Sequence, residues 1–144
     1  MQIYIGCDPS GTEYKVCLVE LLKSLGHTVV EVSCNDGIED YPDVAKKVCV
    51  SVLGHEFSKG ILICGTGMGM CLAANKIKGI RATLCHDTYS AQKARSSNDA
   101  NILTLGALTM GIEQVKAVAT TWVQDYVLNP NSAKKVAKLM EFEK

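Results

Sequence analysis

The chain has 144 residues, of which 47% are apolar and 6% aromatic. Its 15 basic residues balance its 15 acidic ones, so the charge gives no sign of a nucleic-acid or membrane-surface partner. No apolar run approaches the roughly 20 residues that a membrane span needs, so we expect one compact domain over residues 1–144 and no membrane contact.

The predicted elements alternate between strand and helix from the first residues onward. The strands are Ile3–Cys7, Thr28–Val32, Ile61–Cys64, Ala82–Cys85 and Ile102–Leu105. Helices are predicted between Gly11 and Gly26 and at Val44–Leu53, Gly69–Asn75, Asp87–Ser96, Gly111–Asp125 and Ala133–Phe142, with a polar loop over 33–41. The alternation predicts an α/β fold with a five-stranded parallel sheet and helices on both faces. Ligands bind beyond the carboxyl ends of the strands in such sheets.

The seven cysteines indicate a reduced, cytoplasmic protein. Their number is odd, most lie inside apolar runs, and none forms the CxxC pair of a zinc or redox site. We therefore expect most of them to be small core residues, and we expect no metal. The first residues, Met-Gln-Ile-Tyr-Ile-Gly, predict a strand and not a signal peptide.

A glycine loop follows the third predicted strand. Gly65, Gly67 and Gly69 alternate with side chains before an apolar helical stretch, and such a turn brings backbone N–H groups and a helix N-terminus to a ligand. No GK[ST] follows, and Met70 stands where a dinucleotide fingerprint needs its third glycine. The loop favours a small phosphorylated or enolate-forming ligand over a nucleotide. The alternative is a tight turn that needs glycine for its geometry alone.

Three polar side chains near this edge are candidates for chemistry. Cys64 ends a buried strand beside a helix N-terminus, a setting that favours a reactive thiolate, and Thr66 adds a hydroxyl to the same turn. Asp8 follows the first strand, where it could hold sugar hydroxyls or a proton. The alternatives are a core cysteine at 64 and a helix cap at Asp8.

Two further segments allow two interpretations each. In His86-Asp87, either the histidine belongs to the site or Asp87 caps the following helix with His86 on the surface, and we favour the second. Asn98, within residues 97–101, either forms part of a plain turn or presents its amide to a ligand.

The C-terminal helix, at about residues 131–144, is a candidate for packing on a neighbouring subunit. Three lysines of this helix could form a solvated face or grip a phosphate across a subunit boundary: Lys134, Lys135 and Lys138.

Seven motifs occur in a fixed order between about residue 3 and residue 125. They are Gly-Cys-Asp, Asp40-Tyr41-Pro42-Asp43, Ile-Leu-Ile-Cys-Gly-Thr-Gly-x-Gly, Ala-Ala-Asn-Lys, Gly-Ile-Arg-Ala, Tyr-Ser-Ala-Gln and Asn-Asp-x-Asn. Together they resemble the type B ribose-5-phosphate isomerases, a family that also contains galactose-6-phosphate isomerase subunits. The resemblance implies a Rossmann-like three-layer sandwich, assembled as a dimer or a tetramer of dimers, with the active site at a subunit interface.

The resemblance also implies aldose–ketose isomerisation of a phosphorylated sugar through a cis-enediolate, without a metal or organic cofactor. On the matching positions, Cys64 would move a proton between C1 and C2, and Thr66 would assist proton transfer between the sugar oxygens. Asp8 and Asn98 would bind sugar hydroxyls. Some family members use a glutamate where Met70 stands, which favours Cys64 as the base here. Backbone N–H groups of the loop would hold the enediolate charge, namely those of Gly65, Gly67, Met68, Gly69 and Met70.

The chain departs from the family pattern in three places. Pro9 stands where a histidine usually follows the aspartate, and Ser97 replaces the histidine that helps to open the sugar ring. Near the C-terminus, residues 129–132 replace a Gly-Gly-Arg-His stretch, and Lys135 aligns with a second phosphate-binding arginine.

The predicted reaction is ribose 5-phosphate to ribulose 5-phosphate, a step of the pentose phosphate pathway. His86, Ser97 or water would then assist ring opening, and Lys134 or Lys135 would hold the phosphate. A four-carbon 4-phosphate is an alternative, because it cannot close a furanose ring. Two further alternatives remain. One is isomerisation of galactose 6-phosphate together with a second subunit type, and the other is binding of a sugar phosphate without turnover.

Overall fold

A computed structural model describes residues 1–32 and 40–143. It contains one five-stranded parallel sheet in the order β2-β1-β3-β5-β4. The strands are β1 Gln2–Cys7, β2 Thr28–Glu31, β3 Lys59–Cys64, β4 Ala82–Leu84 and β5 Ile102–Gly106. The helices are α1 Thr12–Ser24, α2 Tyr41–Leu53, α3 Met68–Ala74, α4 Thr88–Ser96, α5 Ile112–Trp122 and α6 Pro130–Met140, with short 3-10 turns at Pro9–Gly11 and Glu141–Glu143.

The predicted fold class, with five parallel strands and helices on both faces, is confirmed. The predicted loop over 33–41 falls mostly outside the described residues, and α2 begins at Tyr41 because Pro42 suits the first turn of a helix. The last helix begins at Pro130 and not at Ala133, since the Asn129 side chain accepts a hydrogen bond from the Asn131 N–H at 2.9 Å.

Two apolar layers cover the two faces of the sheet. Ile61 and Ile63 of β3 point to one layer, which is shared with α1, α4 and α5 and contains the fully buried Trp122. Leu62 and Cys64 alternate with them and point to the other layer, which is shared with α2 and α3. The arrangement is a three-layer sandwich.

The strand order reverses between β1 and β3, which lie side by side in the sheet. In open α/β sheets such a reversal opens a crevice at the carboxyl ends of the strands, where ligands bind. Asp8 directly follows β1 and Cys64 ends β3, so both residues lie at this crevice. Among the helices that the structure describes, none combines the length and apolarity that crossing a membrane requires.

Candidate functional site

The glycine loop directs a backbone donor at the thiol of Cys64. The Gly67 N–H donates to Cys64 Sγ at 3.1 Å, and the cysteine is only 5% exposed. Gly67 has φ of 75°, in the left-handed region, and a Cβ placed on it would lie 2.6 Å from Cδ1 of Leu84. Both the conformation and the close packing therefore require glycine here. A thiolate at Cys64 could accept this hydrogen bond from the Gly67 N–H.

The first turn of α3 supplies further donors beside Cys64. The first intrahelical bond runs from the Cys71 N–H to the Gly67 carbonyl at 3.1 Å, so the N–H groups of Gly69 and Met70 precede it and have no intrahelical acceptor. The exposed Thr66 accepts from the Met68 N–H at 3.3 Å through its hydroxyl. The arrangement can hold a negative oxygen in front of the loop.

Met70 is predicted to face the substrate with the rest of the loop, but its side chain points into the core. Its side chain is fully buried in the apolar layer between the sheet and helices α2 and α3. Only its backbone N–H can face a ligand, because the thioether fills space in the core.

Asp8 combines a capping role with a place at the site. Its N–H donates to the Ile63 carbonyl at 3.1 Å, which fixes it beside the end of β3. One carboxylate oxygen accepts the Ser10 N–H at 2.9 Å and caps the 3-10 turn, so the capping interpretation is confirmed. The residue is half-buried, and its second carboxylate oxygen can accept a further hydrogen bond.

Two side chains that sequence reasoning did not single out border the loop. Ser10 Oγ lies 3.8 Å from the point that a Cβ on Gly65 would occupy. The ring of Tyr41 lies 2.8 Å from the corresponding point on Gly69, so it covers that glycine. Tyr41 belongs to one of the seven motifs, but its contact with Gly69 depends on the fold and not on local spacing.

His86 lies at the same edge of the sheet, and its neighbour has the structural role that we favoured. Asp87 caps α4, since its carboxylate accepts the Ser90 N–H at 2.7 Å and the Ser90 hydroxyl at 2.8 Å. These hydrogen bonds lower the pKa of Asp87 below its usual value. His86 is exposed, and its carbonyl accepts from the Gln114 amide.

The other predicted residues lie at the opposite edge of the sheet. Ser97 and Asn98 follow α4 and precede β5, whereas Gly106 at the end of β5 lies opposite Cys64. The five-residue strand between them separates Asn98 from Cys64 by roughly 15 Å along the strand direction. Within one chain the structure therefore does not bring Asn98 and Cys64 together.

Lys135 also belongs to this opposite edge. It is exposed on α6, which begins where the Asn129 N–H donates to the Ser96 carbonyl at 3.0 Å. Beside the end of α6 lies a cavity of about 500 Å³, lined in part by Asn98 and Arg81.

Three other thiols lie in apolar surroundings, those of Cys7, Cys49 and Cys85. Burial raises the pKa of Cys49 to about 12, and burial also raises the pKa values of Cys7 and Cys85. These thiols stay protonated at neutral pH and belong to the core, as predicted. Residues 1–32 and 40–143 contain no group of three His, Cys, Asp or Glu side chains placed to hold a metal ion.

The comparisons with known proteins agree with one another. A family model described as Ribose/Galactose Isomerase matches residues 3–139. The chain is 41% identical to a D-erythrulose-4-phosphate isomerase of Pectobacterium atrosepticum, over 99% of this chain and 95% of the relative. It is 42% identical to ribose-5-P isomerase B of Listeria innocua, over 99% of this chain and 97% of that relative. The solved structure of Clostridium thermocellum ribose-5-phosphate isomerase B superimposes with a TM-score of 0.93 and 38% identity, over 99% and 97%.

Proposed function

The chain belongs to the ribose/galactose isomerase family, and we propose that Cys64 is the base with which it converts a phosphorylated aldose into the matching ketose. Members of this family are sugar-phosphate isomerases, and this chain is an aldose–ketose isomerase. The observation that carries the proposal for Cys64 is its position among backbone donors, with the Gly67 N–H 3.1 Å from its sulfur.

The chemistry needs one base and one group that holds negative charge. A C–H bond next to a carbonyl is weakly acidic, so its proton leaves only if the enediolate that forms is stabilised. In the proposed mechanism, Cys64 takes the proton from C2 of the aldose and returns it to C1. The N–H groups of Gly69 and Met70 hold the enediolate oxygen, and the Thr66 hydroxyl moves the proton between O1 and O2. The free oxygen of Asp8 binds a sugar hydroxyl.

We propose that a second copy of the chain completes the site. Asn98 and Lys135 lie at the edge of the sheet opposite Cys64, so they can reach a sugar bound at Cys64 only from another subunit. Helix α6 buries none of its own residues, and Leu139 and the neighbouring Phe142 are exposed. A helix with so little burial in its own chain is well suited to packing on a partner. A homodimer or a tetramer of dimers would supply that partner.

Mixed dimers test this sharing of the site. Cys64→Ser and Asn98→Ala should each inactivate the enzyme. If the two residues come from different subunits, unfolding the variants together and refolding them should restore about a quarter of the wild-type activity, because half of the dimers then carry one intact site of two. If one subunit supplies both residues, mixing restores nothing and the proposal of a shared site is wrong.

We propose ribose 5-phosphate as the first candidate substrate. We also propose that the enzyme is cytoplasmic. A four-carbon 4-phosphate is the second candidate, favoured by Ser97, which stands where the resembling family has its ring-opening histidine. Turnover should be measured with ribose 5-phosphate, erythrose 4-phosphate and galactose 6-phosphate. Ribose 5-phosphate turnover would support the first candidate, and activity confined to erythrose 4-phosphate would support the second. A protein that only binds these compounds would contradict both.

A further inference from the structure

An apolar side chain lies over the glycine loop, in the turn between β5 and α5. The Ala107 N–H donates to the Cys64 carbonyl and the Leu108 N–H to the Gly65 carbonyl, each at 2.8 Å. Cδ1 of Leu108 lies 3.2 Å from the point that a Cβ on Gly65 would occupy. Two main-chain hydrogen bonds thus hold Leu108 against the residue that follows the proposed base.

Leu108 packs against the loop without being part of the core. It is 79% exposed, and it belongs to neither of the two buried apolar layers. Met68, the first residue of α3, is also apolar and 54% exposed. The loop therefore has apolar side chains on its rim, where a small polar substrate must enter.

Leu108 and Ser10 both border Gly65. Ser10 Oγ lies 3.8 Å from the same point that Leu108 approaches at 3.2 Å. A sugar that reaches this rim of the loop would meet the hydrocarbon of Leu108 as well as the Ser10 hydroxyl. A sugar hydroxyl that packs against the Leu108 side chain would lose water and gain no hydrogen bond from it, which is costly.

Resting on the proposed function, we propose that Leu108 determines the chain-length preference of the enzyme. Its side chain forms an apolar wall that disfavours a sugar with one more hydroxylated carbon relative to a shorter one. An apolar wall rejects an added hydroxyl only moderately, by up to about a hundredfold, so a longer sugar is disfavoured and not excluded. Leu108 acts on specificity and takes no part in the proton transfer.

The test compares kcat/KM for ribose 5-phosphate and erythrose 4-phosphate in variants at this position. Leu108→Ser shortens the wall and offers a hydrogen-bonding partner, so the five-carbon to four-carbon ratio of kcat/KM should rise by about tenfold. Leu108→Met keeps an apolar side chain of similar volume and should leave the ratio within about twofold of the wild type. Val127→Ser, at a 91% exposed position outside the loop, is the control for an exposed apolar-to-serine change.

The proposal is overturned if Leu108→Ser leaves the ratio unchanged while the enzyme stays active. It is also overturned if Leu108→Ser changes the mass of the assembly in light scattering, because Leu108 would then be an interface residue. A wild-type protein that turns over neither of these sugars nor galactose 6-phosphate would overturn the proposed function itself, whereas turnover of galactose 6-phosphate alone would overturn the chain-length role of Leu108. Activity with an unaltered ratio in Leu108→Ser would remove only the specificity role.

Discussion

Replacing Gly67 by alanine tests the geometry on which the site depends. Left-handed backbone costs a residue with a Cβ about 1–2 kcal/mol. The added Cβ would also lie 2.6 Å from Cδ1 of Leu84 and 2.9 Å from the Leu105 carbonyl carbon, and crowding of this kind costs about 1–3 kcal/mol. Lower chain entropy in the unfolded state returns about 0.4–1 kcal/mol. We expect Gly67→Ala to lower the free energy of unfolding by about 1–5 kcal/mol and to displace the N–H donor from Cys64.

Gly26→Ala is the matched control for this experiment. Gly26 has φ of 87°, but nothing lies within 4 Å of the Cβ that alanine would add, so this variant reports the backbone cost alone. Urea unfolding of both variants, together with their isomerase activity, separates strain from crowding. We expect Gly67→Ala to lose at least about 1 kcal/mol more than Gly26→Ala, and to lose activity as well. Equal losses of stability with full activity in both variants would refute the described packing of the loop.

Two further predictions concern stability. The fully buried hydroxyl of Thr104 has no hydrogen-bond partner among the described residues, so Thr104→Val should raise the free energy of unfolding in urea by about 1 kcal/mol; a loss would show that the hydroxyl is bonded. Burial raises the pKa of Cys49 from 9.0 to about 12, so the unfolded chain releases this proton first as the pH rises. Its stabilising contribution is complete below pH 9 and falls by about 1.4 kcal/mol per pH unit towards pH 12, and Cys49→Ala should make that alkaline loss of stability shallower.

The strands and the glycine loop could be predicted because their signals are local. Short apolar runs bounded by turn residues mark the strands, and three alternating glycines beside Cys64 mark a loop that admits close backbone approach. The capping roles of Asp8 and Asp87 follow from the same local chemistry, since each accepts an N–H two or three residues further on.

The assembly of the site could not be predicted from local patterns alone. Asn98 lies far from Cys64 within one chain because α4 returns the chain to the amino edge of the sheet before β5 begins. Met70 is buried because the first turn of α3 points its third residue into the core. The contacts of Leu108 and Tyr41 with the loop join residues more than 25 positions apart, and only the folded sheet brings them together.

The central claim is that Cys64 moves the proton between the sugar carbons. Its most direct test is deuterium incorporation from heavy water into the C1 and C2 positions of the sugar phosphate that the wild-type enzyme turns over, followed by NMR. We predict incorporation by the wild type and by Cys71→Ser, which changes a half-buried thiol on α3, and none above background by Cys64→Ser. Incorporation by Cys64→Ser at the wild-type rate would show that another group is the base.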